Sequence, residues 1–329
     1  MIIIGFHGTN ITDRGLEDLR RQIIVGEIGG VIFFSYNIVN QSQIKNFIKD
    51  IKKLRSDFPL LAAVDEEGGS VSRFTKEKGF EVFPSASEIA KAKKIEDAYA
   101  IYKRMAKQLR YLGFNLNLGP VLDLDFEGSP IIGQKGRSYS KDPETVYLFA
   151  RLFIKAHNKE DVLTAVKHFP GHGSAASDTH TDFTDITSVW NKNELVPFRR
   201  MISDGKVDIV MTGHLYNNLK DWQYPASLSR IHIQNILRKK LDYKGVVMSD
   251  DLQMNSIIKK YSLDEIVTAA INSGTDLMLF GNYEDKLDKD LPGKIKKIII
   301  YGIQEGKISQ NSIDSSFKRI LDLKKKIVH

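Results

Sequence analysis

Eight short apolar runs, most of them followed by a longer amphipathic segment, are the strongest constraint on how this 329-residue chain can fold. They fall at residues 2–5, 30–34 (GVIFF), 60–64 (LLAAV), 116–118, 163–166, 209–212 (IVMT), 245–249 (GVVMS) and 277–280 (LMLF). Their residues do not alternate polar with apolar, so both faces of each strand must be covered, as in a parallel sheet. Between them, helical spacing of apolar residues predicts helices over 41–54, 87–112, 193–203, 231–240, 263–271 and 294–303. After 116–118 the sequence reads as a long loop. Eight strand–helix units close a (β/α)₈ barrel. An open doubly wound sheet is the competing architecture, but no Gly-x-Gly-x-x-Gly follows the first strand. Polar residues gather at the carboxyl ends of many strands instead: Asp65, Asp123, Lys167 and His168, His214, Asp250. A barrel brings such ends round one mouth. The expected class is α/β, a single-domain TIM-type (β/α)₈ barrel over 1–329, with no linker or repeat to divide it.

Composition removes several function classes. With no cysteine there is no disulfide framework, zinc ribbon or thiol nucleophile. No apolar run approaches the ~20 residues that span a bilayer, and residues 1–6 are too short for a signal-peptide core. A cytoplasmic protein without a membrane role is expected. The net charge of +7 comes from lysines and arginines spread along the chain, densest at 52–55, 91–94 and 324–326 on helix faces or near the C-terminus. Without a zinc finger, basic zipper or aromatic–basic RNA signature, nucleic acid is not an expected partner.

Three segments carry chemistry. Lys167-His-Phe-Pro-Gly-His-Gly173 and Asp178-Thr-His180 place three of the chain's eight histidines in a stretch whose proline and glycines exclude a helix interior. Asp178 and His180, two apart, can form a carboxylate–imidazole pair that fixes the tautomer and supports proton transfer near neutral pH. Set against this is an ordinary loop histidine satisfied by a nearby acid. Ser249-Asp250-Asp251-Leu252 ends the seventh run. Since neighbouring strand side chains point to opposite faces, one carboxylate is offered to the mouth while the other caps the chain that follows. Val64-Asp-Glu-Glu-Gly-Gly69, with Arg73 after it, places Asp65 at the rim before a glycine turn. Arg137, in Gly136-Arg-Ser-Tyr-Ser140, is by itself an unremarked loop arginine. A mouth carboxylate facing an Asp–His pair supplies a nucleophile and a proton donor, the two tools of retaining glycoside hydrolysis. A metal-dependent hydrolase built on His168, His172, Asp178 and His180 is one rival, although no His-Glu-x-x-His is present. A non-catalytic sugar-binding barrel is the other.

At these residues the sequence resembles glycoside hydrolase family 3, in particular its compact bacterial β-N-acetylglucosaminidases. The resemblance runs from GGVIFF at 29–34 to GTDLMLF at 274–280, and rests on KHFPGHG and DTH at 167–180 with SDDLQM at 249–254. VDEEGG at 64–69, GPVLDL at 119–124 and PASLS at 225–229 follow in the family's order. It implies that Asp250 is the covalent nucleophile and that His180, paired with Asp178, is the proton donor. It also implies that Asp65, Arg73, Arg137, Lys167 and His168 hold a terminal N-acetylglucosamine, and that no metal or organic cofactor is needed. The implied substrate is a peptidoglycan fragment in cell-wall recycling, with N-acetylglucosamine on a muramyl sugar, cleaved by a monomer. A broader β-glycosidase and a phosphorolytic variant are the alternatives within the enzyme class. Some positions depart from the family pattern. Glu66 stands where Gln is common, Ser70 and Tyr36 where Arg is, Thr184 where Pro is, and Gln134-Lys135-Gly136 precedes Arg137 where an Asp is usual.

Overall fold

The computed structural model describes residues 1–329 except 56–57, 93, 127, 178–182, 284–286 and 328–329. Eight strands form the expected barrel: β1 (Ile2–Gly5), β2 (Gly30–Phe33), β3 (Leu61–Val64), β4 (Leu116–Asn117), β5 (Leu163–Phe169), β6 (Ile209–Thr212), β7 (Val246–Asp251) and β8 (Leu277–Phe280). All pair in parallel and in chain order, and β8 closes on β1 with Ile2 opposite Met278 and Ile4 opposite Phe280. Closure leaves the barrel without an open edge.

The lack of polar alternation has the cause the sequence suggested. Ile3, Ile32, Leu61, Ala63, Leu163, Ala165, Met211, Met248 and Leu279 fill the barrel interior as one buried cluster. Their strand neighbours Ile4, Val31, Phe33, Ala62 and Val64 pack outward in a second cluster, and Val166, Val210 and Val247 in a third. The helices supply the other half of those outer clusters. In the helix Gln41–Lys53, Asn40 accepts a hydrogen bond from the Gln43 amide and the apolar face Ile44, Phe47, Ile48 and Ile51 is buried. The helix Leu263–Ser273 opens with a Ser262–Glu265 capping box and ends at Gly274, whose φ is 100°.

Three stretches differ from the sequence expectation. The helix expected over 87–112 is two, Ala86–Ala92 and Ile95–Leu112. Lys94 is extended (φ −95°, ψ 129°), and Glu96 and Asp97 sit in the favourable first turn of the second. The loop expected after β4 contains the helix Pro143–Asn158, started by Asp142 accepting from the Thr145 amide and by a proline in the first turn. The helix Gln310–Lys324, absent from the expectation, sends Ile320 and Leu323 against the inner cluster. No helix among the described residues is long and apolar enough to cross a membrane.

Candidate active site

Strand parity builds the mouth. The inner face takes every second residue, so β3 carries Leu61 and Ala63 and then Asp65 and Glu67; β5 carries Leu163 and Ala165 and then Lys167; β7 carries Val246 and Met248 and then Asp250. The same count brings Phe34 from β2 and Tyr283 from beyond β8 into the opening. Phe34, Asp65, Glu67, Lys167, Asp250 and Tyr283, with Arg73, Arg137, His168 and Asp251, line one cavity of about 260 Å³. That is near the lower end of ligand pockets, ~300–1,000 Å³, and suits a single sugar ring. An apolar cavity of about 310 Å³, among Met1, Ile28, Phe58 and Ile320, lies at the opposite end, where this fold does not place catalytic groups.

One wall is a chain of alternating charges. Arg73 donates to Asp65 at 2.8 Å, and Lys167 donates to the other Asp65 oxygen at 2.9 Å. Lys167 also meets Glu67 at 2.7 Å, and Glu67 receives two bonds from Arg137, both 2.8 Å. Arg137 ends 3.4 Å from His168 Nε2, and His168 Nδ1 lies 2.6 Å from Asp123. Burial alone would raise Asp65, but Lys167 and Arg73 outweigh it and hold that carboxyl well below the usual range. Burial acts on Glu67 in the same way, and Arg137 and Lys167 bring it down to about 2. Desolvation likewise works against charge on Lys167, yet Asp65 and Glu67 keep it cationic with a raised pKa. These buried ions are mutually neutralised and held rigid, so their remaining hydrogen-bonding capacity is preorganised for a polar ligand. The Arg73 Nε is buried with no partner among the described residues.

The turn after β3 makes this wall possible. Gly68 and Gly69 have φ of 86° and 59°, and a Cβ on Gly68 would sit 2.2 Å from the Pro84 carbonyl oxygen. Glu66, of outward parity, faces away from the cavity. It is fully buried, accepts from Ser72 Oγ at 2.6 Å, and burial pushes its carboxyl up to about 8.

At the end of β7, where the register against β8 shifts by one residue, both aspartates border the cavity but serve different partners. Asp250 is half-buried in the cavity wall and accepts the Asp251 amide at 2.8 Å. Asp251 touches the cavity but serves the backbone, accepting from Gly281 N at 2.8 Å and Gln253 N at 3.0 Å; burial pushes it up to about 6. His214 braces the same strand end, with one ring nitrogen 2.8 Å from the Asp251 carbonyl oxygen and the other 2.7 Å from Ser227 Oγ.

Of the residues expected at the site, Asp65, Arg73, Arg137, Lys167, His168 and Asp250 converge on this cavity. Asp178 and His180 lie outside the described residues. Sequence reasoning assigned no role to Glu67, Asp123 or Tyr283. Asp123 collects His168 Nδ1 and the amides of His168 and His172, and the strand-end pattern that marked it was the one available signal. Among the described residues no group of three or more His, Asp or Glu is arranged to hold a metal ion.

Residues 9–323 match the model of the glycosyl hydrolase family 3 N-terminal domain. The chain belongs to glycosyl hydrolase family 3. The β-hexosaminidase of Tolumonas auensis is 38% identical over 261 residues, covering 78% of this chain and 76% of its own. The β-hexosaminidase of Haemophilus influenzae is 32% identical over 289 residues, 85% of this chain and 79% of its own. The family 3 β-N-acetylglucosaminidase structure from Paenibacillus sp. FPU-7 superposes with a TM-score of 0.90 at 31% identity, over 99% of this chain. This chain spans 61% of that larger protein. The chain is thus a glycoside hydrolase, and its barrel is the fold of the family's N-terminal domain.

Proposed function

We propose that this enzyme is a retaining exo-β-N-acetylglucosaminidase, with Asp250 as nucleophile and His180, supported by Asp178, as acid and base. The observation that carries the reading is the inward projection of Asp250 into the same single-sugar cavity as the Arg73–Asp65–Lys167–Glu67–Arg137 wall. Relatives named β-hexosaminidase support the N-acetylhexosamine. Asp65, Arg73, Arg137, Lys167 and His168 are read as the groups that hold its hydroxyls and amide. In the first step Asp250 attacks the anomeric carbon while His180 protonates the leaving oxygen, giving a covalent glycosyl-enzyme. In the second, His180 takes a proton from water, which displaces Asp250 with net retention.

The substrate is read as a muropeptide fragment bearing a non-reducing N-acetylglucosamine, cleaved in the cytoplasm during cell-wall recycling by a monomer. The whole chain is read as one catalytic barrel. The +7 net charge favours capture of such anionic fragments. Purified enzyme should release N-acetylglucosamine from anhydro-muropeptides and from its aryl β-glycoside, with little action on the matching glucoside. Equal turnover of the glucoside would make it a broad β-glycosidase, and sugar phosphate formed on adding phosphate would make it a phosphorylase.

A further inference from the structure

Glu194 is fully buried and has no place in the sugar-binding wall, yet it is joined to the segment that leads to the expected proton donor. It closes the short turn Lys192–Glu194 ahead of the helix Leu195–Ser203, where a capping residue has only to serve its own turn. It does so weakly, accepting from the Asn191 amide at 3.4 Å. Its stronger bonds cross to the loop after β5. One carboxylate oxygen accepts from Gly173 N at 2.8 Å and Ser174 N at 3.4 Å, and the other from Ser174 Oγ at 2.6 Å.

The loop is seated on Glu194 without slack. A Cβ on Gly171, whose φ is 119°, would lie 2.5 Å from the Glu194 Cβ; one on Gly173 would lie 2.2 Å from the Leu124 carbonyl oxygen. The chain is therefore pressed between Glu194 and the end of the fourth strand–loop unit. Beyond it, Ala175 packs with Ile186 and Leu215, and Ser177 Oγ donates to Thr184 Oγ1 at 3.1 Å. Thr184 in turn pairs with Leu215. Asp178 and His180 come four and six residues after Ser174 in the sequence. Burial pushes the Glu194 carboxyl up to about 7, with the Ser174 and Asn191 hydrogen bonds opposing the rise. A neutral side chain would cap the turn at lower cost.

We propose that Glu194 is a positioning residue for acid catalysis: by holding Gly173 and Ser174 it anchors the chain four and six residues ahead of Asp178 and His180, the expected donor pair. The inference rests on His180 being the proton donor, and its test must separate the two ideas. The measurement is kcat/KM, which reports the glycosylation step, across aryl β-N-acetylglucosaminides from dinitrophenyl to unsubstituted phenyl. The proteins compared are wild type, Glu194→Gln and His180→Ala. Glu194→Gln keeps the size of the side chain but turns one of its acceptors into a donor.

Acid catalysis contributes about 10²–10⁴-fold where the leaving group needs a proton, so a displaced donor forfeits part of that. Glu194→Gln should lose about tenfold or more on the phenyl glycoside and less than about threefold on the dinitrophenyl one, following the pattern of His180→Ala at smaller amplitude. A uniform loss across the series in Glu194→Gln, with His180→Ala still selective, overturns the inference and leaves the donor in place. If neither variant discriminates between leaving groups, the reading of His180 falls and takes this one with it. Should Glu194→Gln fail to fold, Ser174→Ala removes the 2.6 Å bond alone and must show the same selectivity, in weaker form.

Discussion

Replacing Glu66 with Gln should stabilise this protein, by an amount that grows with pH. The folded state buries the Glu66 carboxyl and raises it from 4.5 to about 8, against the pull of Ser72 and Arg73. A carboxyl raised in this way contributes its full share of stability below pH 4.5, where it is protonated folded or unfolded. The contribution is lost as pH rises toward about 8, because the unfolded chain releases the proton and the folded one keeps it. At about 1.4 kcal/mol per pH unit, holding that proton at pH 7 costs the folded state about 3 kcal/mol. Gln is neutral throughout and can still accept from Ser72 Oγ through its carbonyl. Its amide group replaces the Glu66 oxygen that has no partner among the described residues, and an unmatched buried N–H takes back about 1 kcal/mol. The net expectation is a gain of about 2 kcal/mol at pH 7, and none or a slight loss at pH 4. Urea unfolding of both proteins at pH 4, 5.5, 7 and 8, with slopes checked for equality, measures it. A difference that stays flat across this range, or a variant less stable at pH 8 than at pH 5.5 relative to wild type, would refute the buried neutral acid.

Asp250→Asn should remove nearly all turnover while leaving the thermal midpoint within a few degrees, since Asn keeps the size of the side chain and an oxygen that can accept the Asp251 amide; wild-type rates on an aryl N-acetylglucosaminide would end its role. Arg137→Ala leaves Glu67 buried without the two bonds it receives at 2.8 Å, so calorimetry should show a loss of about 3–5 kcal/mol; KM should rise as well. Exhaustive chelation should leave kcat/KM unchanged, and parallel loss of activity and bound metal would revive the hydrolase with metal ligands among its histidines.

The barrel was legible because burial on both strand faces writes itself as unbroken apolar runs, and period-two counting from Leu61, Leu163 and Val246 points Asp65, Lys167 and Asp250 inward. Where local pattern weakened, so did the reading. The helix Pro143–Asn158 follows a glycine- and serine-rich stretch that masks its Asp142–Pro143 start. Glu67 could not be assigned a role from its neighbours, because what makes it important is contact with Arg137 and Lys167, 70 and 100 residues away. Asp123 and Glu194 share that difficulty: each gains its meaning from backbone amides of a loop distant in sequence. Families of residues that act through long-range contact are recognised by topology, and only a motif spanning several strands, such as the one shared with family 3, carries that information in the sequence.

The proposed two-step displacement at the anomeric carbon, with the attacking carboxylate supplied by β7, fixes the configuration of the released sugar. Proton NMR of the first-formed product from an aryl β-N-acetylglucosaminide tests it directly, before mutarotation mixes the anomers. β-N-Acetylglucosamine should appear first, with the α anomer growing in later. Initial release of the α anomer would mean a single inverting displacement by water, and Asp250 could not then be the nucleophile.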